Sequence, residues 1–329
     1  MIPLVDRSWQ SQPWQWQLAH AVSDVGELMR LVALPQLATP NRFPLLVPHA
    51  FIARMEAGNP ADPLLRQVLP VAAEGVGVPG YRVDPVGDGN AVRRQGLLQK
   101  YTGRALIIVS GACAVNCRYC FRRHFPYGDF QPDRNAWDRI IADLEADPSI
   151  SEVILSGGDP LILSDRRLEQ ILARLDAIPH VSTIRIHTRL PVVIPARVTD
   201  ALTATLNSRT SKVVVVLHIN HAGEIDEALH DAASRLRASG ALLLNQSVLL
   251  ADINDSEMAL AELSRRLFAI DVLPYYLHQL DPVAGAAHFE VTDARAAALI
   301  DRLRALLPGY LVPKLVREVE GAPSKTPLP

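Results

Sequence analysis

From residue 104 almost to the end of the chain, apolar runs of strand length alternate with stretches of helical periodicity. The runs cover 105–109, 152–155, 183–187, 212–219, 242–249 and 273–278. The intervening stretches, 134–147, 165–178, 198–207, 224–239, 256–270 and 292–307, read as amphipathic helices. Continuous apolar strands separated by such helices predict a parallel sheet with helices on its faces. Six strand–helix units predict an α/β fold of the incomplete (β/α)6 barrel type. In such barrels, chemistry sits at the C-terminal ends of the strands and in the loops that follow.

The first 95 residues break this rhythm. A helix is expected over 25–34, with Asp24 as N-cap, Glu27 completing a capping box and Pro35 as the stop. Pro60, Pro63 and Pro70 punctuate the next region, and 75–90 reads as a loop-rich connector. Trp9, Trp14 and Trp16 fit the packing of an extension onto the main body better than a binding patch. A strand-like run at 310–318 follows the last helix. The expected organisation is a mixed, mostly helical N-terminal extension over 1–95, the barrel over 96–307 and a short C-terminal segment over 308–329.

Composition adds exclusions. At 49% hydrophobic and 21% charged residues, the chain has ordinary globular make-up. Its apolar runs are strand-sized, so no membrane span is expected. The opening MIPLVDRSWQSQPWQWQ lacks a basic region followed by a long apolar stretch, so no secretory leader is expected. A net charge of −2 argues against a nucleic-acid surface. Together with reduced cysteines, these features predict the cytoplasm.

The chemistry enters just after the first strand. All three cysteines fall in Cys113-Ala-Val-Asn-Cys117-Arg-Tyr-Cys120. An odd count at this spacing makes a poor disulfide framework. Three thiolates on one loop can hold three irons of a [4Fe–4S] cube and leave the fourth iron open. Zinc is the alternative, because His124 would complete a Cys3His set, although ligand type and spacing fit iron–sulfur better. The second strand ends in Ser156-Gly157-Gly158-Asp159-Pro160, where glycines allow close backbone approach.

The three-cysteine loop resembles the signature of radical S-adenosylmethionine (SAM) enzymes, and the Gly-Gly turn resembles the segment that holds the SAM amino group. Downstream, His218-Ile-Asn-His221, Asn245-Gln246-Ser247 and Pro274-Tyr-Tyr-Leu-His-Gln-Leu-Asp281 follow in order. Over Lys100 to Lys325, this series resembles the lysine 2,3-aminomutase family. The wording CAVNCRYCFRRHFPYG and LVPKLVREVEGAPSKTPL is similar to short bacterial members that serve elongation factor P modification.

The resemblance implies a radical SAM barrel with pyridoxal 5′-phosphate (PLP) as a second cofactor, held as a Schiff base on Lys325. Lysine can do this because its amine can lose a proton. Lys314 is the fallback, since Ala-Pro-Ser stands before Lys325 where the free-lysine enzymes have a glycine-rich run. Cys113, Cys117 and Cys120 would be the cluster ligands. Lys100 and Arg104 would meet the PLP phosphate. Ser156, Gly157, Gly158, Asp159, His218 and Gln246 would line the SAM site.

For the substrate, Arg122 would bind the amino acid carboxylate with its planar fork. Arg123 is its neighbour without a clear role. Asp281 and Glu318 would receive the distant ammonium of lysine. The implied reaction moves the amino group from Cα to Cβ, giving β-lysine. The implied partners are lysine, elongation factor P and its lysyl-ligase, and a homo-oligomer is compatible with the family. Two rival readings stay open. One is a free-lysine aminomutase in catabolism or osmolyte synthesis, disfavoured by the absence of extra C-terminal cysteines. The other is a zinc-stabilised, non-catalytic binding protein.

Overall fold

The computed structural model describes residues 7–36, 43–130 and 132–328, so the first six residues of the opening lie outside the described residues. The strands are β1 (Val92–Arg94), β2 (Leu97–Leu98), β3 (Arg104–Ser110), β4 (Glu152–Gly157) and β5 (Thr183–Thr188). They continue with β6 (Lys212–His218), β7 (Leu242–Val248), β8 (Leu273–His278), β9 (Lys314–Arg317) and β10 (Thr326–Pro327). All ten form one sheet in chain order. Strands β3 to β9 run parallel, while β1, β2 and β10 pair antiparallel at the two ends. No pairing joins β1 to β10 among the described residues, which leaves the barrel incomplete.

Strand β6 shows why the apolar runs became strands. Its Val213–Leu217 stretch is buried throughout, between the barrel interior and the helical layer. The helices start where short polar side chains can cap them. Asp133, Ser164, Thr199, Asp226, Ser256 and Thr292 each accept a backbone N–H from the first turn of one barrel helix. Among the described residues, no helix is long and apolar enough to cross a membrane.

Several expected boundaries shift for local reasons. The helix expected over 25–34 spans Val25–Leu31, with Asp24 accepting from Glu27 N at 2.7 Å. It stops early because Ala33 takes a left-handed φ of 55° and Leu34 N turns back to Met29 O. The stretch 224–239 begins as the 3-10 turn Ala222–Glu224 and becomes helical at Glu227, because Asp226 caps there. The run 310–318 divides into the 3-10 turn Gly309–Leu311 and β9, which adds a seventh parallel strand. The tryptophans take different settings. Trp14 is buried with the Arg197 guanidinium 4.6 Å over its ring, and Trp16 stacks on His20.

The first three barrel strands are tied together at their C-terminal ends. Gly158 N donates to Ser110 O, and Asp159 N to Ala112 O, both at 2.8 Å. Gly157 has a φ of 124°, and a Cβ on Gly158 would overlap the Ala112 carbonyl. The glycines therefore admit the backbone of the cysteine loop itself. The buried Asp159 carboxylate accepts from Leu161 N, Thr188 Oγ1, Arg189 N and Leu190 N at 2.7–2.9 Å, locking β4 to the end of β5. Gly158→Ala should displace this loop and cost about 1–3 kcal/mol, as overpacking of a tight contact does. A thermal unfolding midpoint equal to the parent's would contradict this.

Candidate active site

The residues assigned from the sequence to the cluster, the SAM site, PLP and the substrate all line one cavity of about 1110 Å³ at the C-terminal ends of the parallel strands, whereas His124 does not. Pockets for a single small molecule run to roughly 1,000 Å³ at most, so this space suits more than one ligand.

The cysteine loop follows β3 and is held by the N-terminal extension. Asn116 N donates to Leu46 O, and Arg118 N to Gln67 O. The Arg118 and Arg123 guanidiniums converge on Glu74, with Arg123 at 2.6 Å. Arg123 also donates to Arg118 O and Gly285 O, so its work is to pin the loop. The three thiols are unpaired. Burial, then the neighbouring cysteines and Asp159, push the Cys113 thiol well up, and burial with Cys117 takes Cys120 to about 11. Such thiols hold their protons until a metal displaces them.

The donor set fits a cluster better than zinc. Among the described residues, no three His, Cys, Asp or Glu side chains converge on a single-ion position. Thiolates that each cap a separate iron of a cube have no need to converge in that way. His124, the fourth ligand a zinc site would require, directs Nε2 to Ala284 O at 2.9 Å.

A chain of buried and half-buried charges crosses the cavity. Arg122 Nε meets Asp88 Oδ2 at 2.7 Å, and Nη1 donates to Ser156 Oγ at 3.0 Å. Lys100 Nζ bridges Asp88 Oδ1 and Glu318 Oε1, each at 2.7 Å. Glu318 Oε2 meets Lys325 Nζ at 2.6 Å. Burial would raise the Glu318 carboxyl, but the Lys325 and Lys100 ammoniums hold it at about 2. Asp88 is likewise held low against burial by Arg122 and Lys100.

The β9–β10 hairpin creates the Glu318–Lys325 pair. It sets Arg317 opposite Thr326, so the residues just inside the turn face each other. Asn90 Nδ2 anchors the turn through Glu320 Oε1 at 2.6 Å. Lys325 is thus a half-buried cavity residue and not a solvated tail charge, whereas Lys314 is exposed.

Asp281 is different. It lies just beyond β8, and its Oδ1 is buried with no hydrogen-bond partner. Burial, then repulsion from Glu318, push its carboxyl up to about 7 despite the pull of Lys325 and Lys100. On the opposite wall, His218 Nε2 meets the Tyr119 hydroxyl at 2.9 Å, and burial with Arg189 keeps the ring neutral. Gln246 lies beside it on β7, paired in register with His218. Arg104 opens β3 with its guanidinium 5.3 Å over the Tyr101 ring.

Sequence reasoning missed other wall residues. Asp88 sits in the irregular connector, where no spacing or motif marks it. His187 on β5, His278 on β8 and Arg189 just after β5 also face the cavity. The strand-end rule that flagged His218 applies equally to these three.

Comparisons with known proteins agree with this architecture. The radical SAM superfamily model matches residues 107–263. The chain is 50% identical to the L-lysine 2,3-aminomutase of Escherichia coli K12 over 96% of its length and 94% of that protein. It is 44% identical to the L-lysine 2,3-aminomutase of Haemophilus influenzae over 96% of both chains. With the one from Acetoanaerobium sticklandii it shares 33% identity over 96% of its own length and 78% of that chain. Radical SAM membership implies a [4Fe–4S] cluster and SAM, and the three-thiol loop fits both. The chain belongs to the radical SAM lysine 2,3-aminomutase family of isomerases.

Proposed function

We propose that this lysine 2,3-aminomutase uses PLP on Lys325 to convert α-lysine to β-lysine for modification of elongation factor P in the cytoplasm. The observation that carries the substrate reading is the buried, unpartnered Oδ1 of Asp281, in the same cavity as the Lys325 amine and the three thiols. A buried acid without a partner is costly, and an ammonium ion is the natural partner for it. When bound, the cluster with SAM supplies a radical able to take hydrogen from an unactivated carbon, and PLP supplies the conjugation that lets nitrogen migrate.

The chain's own residues do the positioning. Arg122, held by Asp88 and Ser156, presents a fixed cation for the substrate carboxylate. Lys100 and Arg104 line the same cavity and would offer positive charge to the phosphate of PLP. Both Glu318 oxygens are engaged, Oε1 by Lys100 and Oε2 by Lys325. With Lys325 engaged by PLP, Glu318 would keep Lys100 on Oε1, and its Oε2 would be open to a substrate ammonium beside Asp281. The two carboxylates then hold the far end of lysine, so that Cβ is set against the SAM side of the cavity.

The elongation factor P assignment is supported by the wording around the cysteine loop and the C-terminus. Free lysine for catabolism is the rival fate.

Lys325→Ala should abolish PLP-linked absorbance while leaving cluster absorbance intact. Retention of the PLP band would show that Lys325 is not the attachment point. Burial, then repulsion from Glu318, pushes the Asp281 carboxyl up to about 7 from its ordinary value of 3.8. Between those values the native state holds a proton that the unfolded chain has lost, so this group lowers stability as pH rises. Ammonium binding needs the ionised form, so lysine affinity should rise as pH rises through about 7. Asp281→Asn should weaken lysine binding at least tenfold and flatten that dependence. An unchanged pH profile in the variant would remove Asp281 from the substrate site.

A further inference from the structure

Arg189 is a buried cation that the reading above leaves without a role. It follows β5 directly, and its backbone N–H donates to Asp159 Oδ2 at 2.7 Å. Its side chain is 7% exposed. One guanidinium nitrogen donates to Cys117 Sγ at 2.7 Å and also reaches the Tyr119 hydroxyl. The other donates to Gln67 Oε1 at 2.6 Å and Glu224 Oε2 at 3.1 Å. The rings of Phe51 and Tyr119 flank it at 5.4 and 5.8 Å.

These contacts leave the fork one orientation. Glu224 is fully buried and is itself fixed by the Asn220 and His221 amides at 2.9 and 3.0 Å and by Gln67 Nε2 at 3.1 Å. Arg189 and Glu224 therefore form a rigid dipole whose positive end rests on Cys117. Among the described residues, Cys117 alone of the three thiols has a side-chain cation within hydrogen-bond distance.

We propose that Arg189 sets the reduction potential of the cluster through its N–H···S bond to Cys117, as a positioning residue. Reduction adds one negative charge to the cluster. A fixed donor cation on a ligand sulfur stabilises that charge and raises the potential, most strongly in a buried, low-dielectric site. Because Glu224 balances the charge of Arg189, the effect is short-ranged and centred on Cys117. The inference rests on family membership alone and is independent of the proposed substrate and of PLP.

The test uses the full chain, purified anaerobically with iron and sulfide quantified. The cluster's midpoint potential is followed by electron paramagnetic resonance during reduction with dithionite and mediators, without SAM. Arg189→Gln should make reduction about tenfold less favourable, a fall of about 59 mV for one electron. Arg189→Lys keeps the charge but loses the fork, so it should give a smaller fall in the same direction. A fully loaded Arg189→Gln protein with the parent's potential would overturn the proposal, even if its SAM affinity had changed. If Arg189→Gln does not assemble a cluster, Arg189→Lys decides: a lowered potential supports the proposal and an unchanged one overturns it.

Discussion

The structure depends on one close approach, that of the turn after β4 to the cysteine loop after β3. Two amide-to-carbonyl bonds hold them together, and the absence of side chains at Gly157 and Gly158 makes the distance possible. Asp159 extends the junction by gathering four donors from its own turn and the end of β5. A buried carboxylate is stable only when so saturated, and burial still raises its pKa. One backbone junction thus fixes the cysteine loop, the Gly-Gly turn and Arg189 relative to one another. Those are the groups around which the cluster and its ligand must be organised.

Beyond the junction, the site is organised by charge. Arg122, Asp88, Lys100, Glu318 and Lys325 alternate in sign across the cavity, so each charge has an opposite neighbour. Pairing of this kind is what allows charges to stay ionised away from water. Asp281 breaks the alternation, and burial, then repulsion from Glu318, raises its pKa. The defect is informative, since it marks where a cationic ligand would complete the series. The N-terminal extension belongs to the same arrangement, since Gln67 and Glu74 bind the cysteine loop through Arg118 and Arg123 and Asp88 sits inside the charge chain.

Much of this was legible in the sequence where the signal is local. The apolar runs became the parallel strands with shifts of one or two residues, because period and length alone distinguish a buried strand from an amphipathic helix. The three cysteines and Gly157-Gly158 were legible because their chemistry depends on spacing within one loop. Lys325, Glu318 and Asp281 were placed by resemblance, and the cavity brings them together. Helix ends were less legible: a left-handed Ala33 and the Asp226 cap moved two of them. Asp88 and the Arg189–Cys117 contact were invisible, because pairs 12 to 72 residues apart leave no mark on periodicity.

The central claim is that this cavity performs a 2,3-amino shift on lysine. The most direct measurement is anaerobic incubation of the cluster-loaded protein with lysine, SAM, PLP and a one-electron reductant, followed by analysis of products. The account predicts β-lysine together with 5′-deoxyadenosine. A fully loaded cluster that yields neither would contradict it.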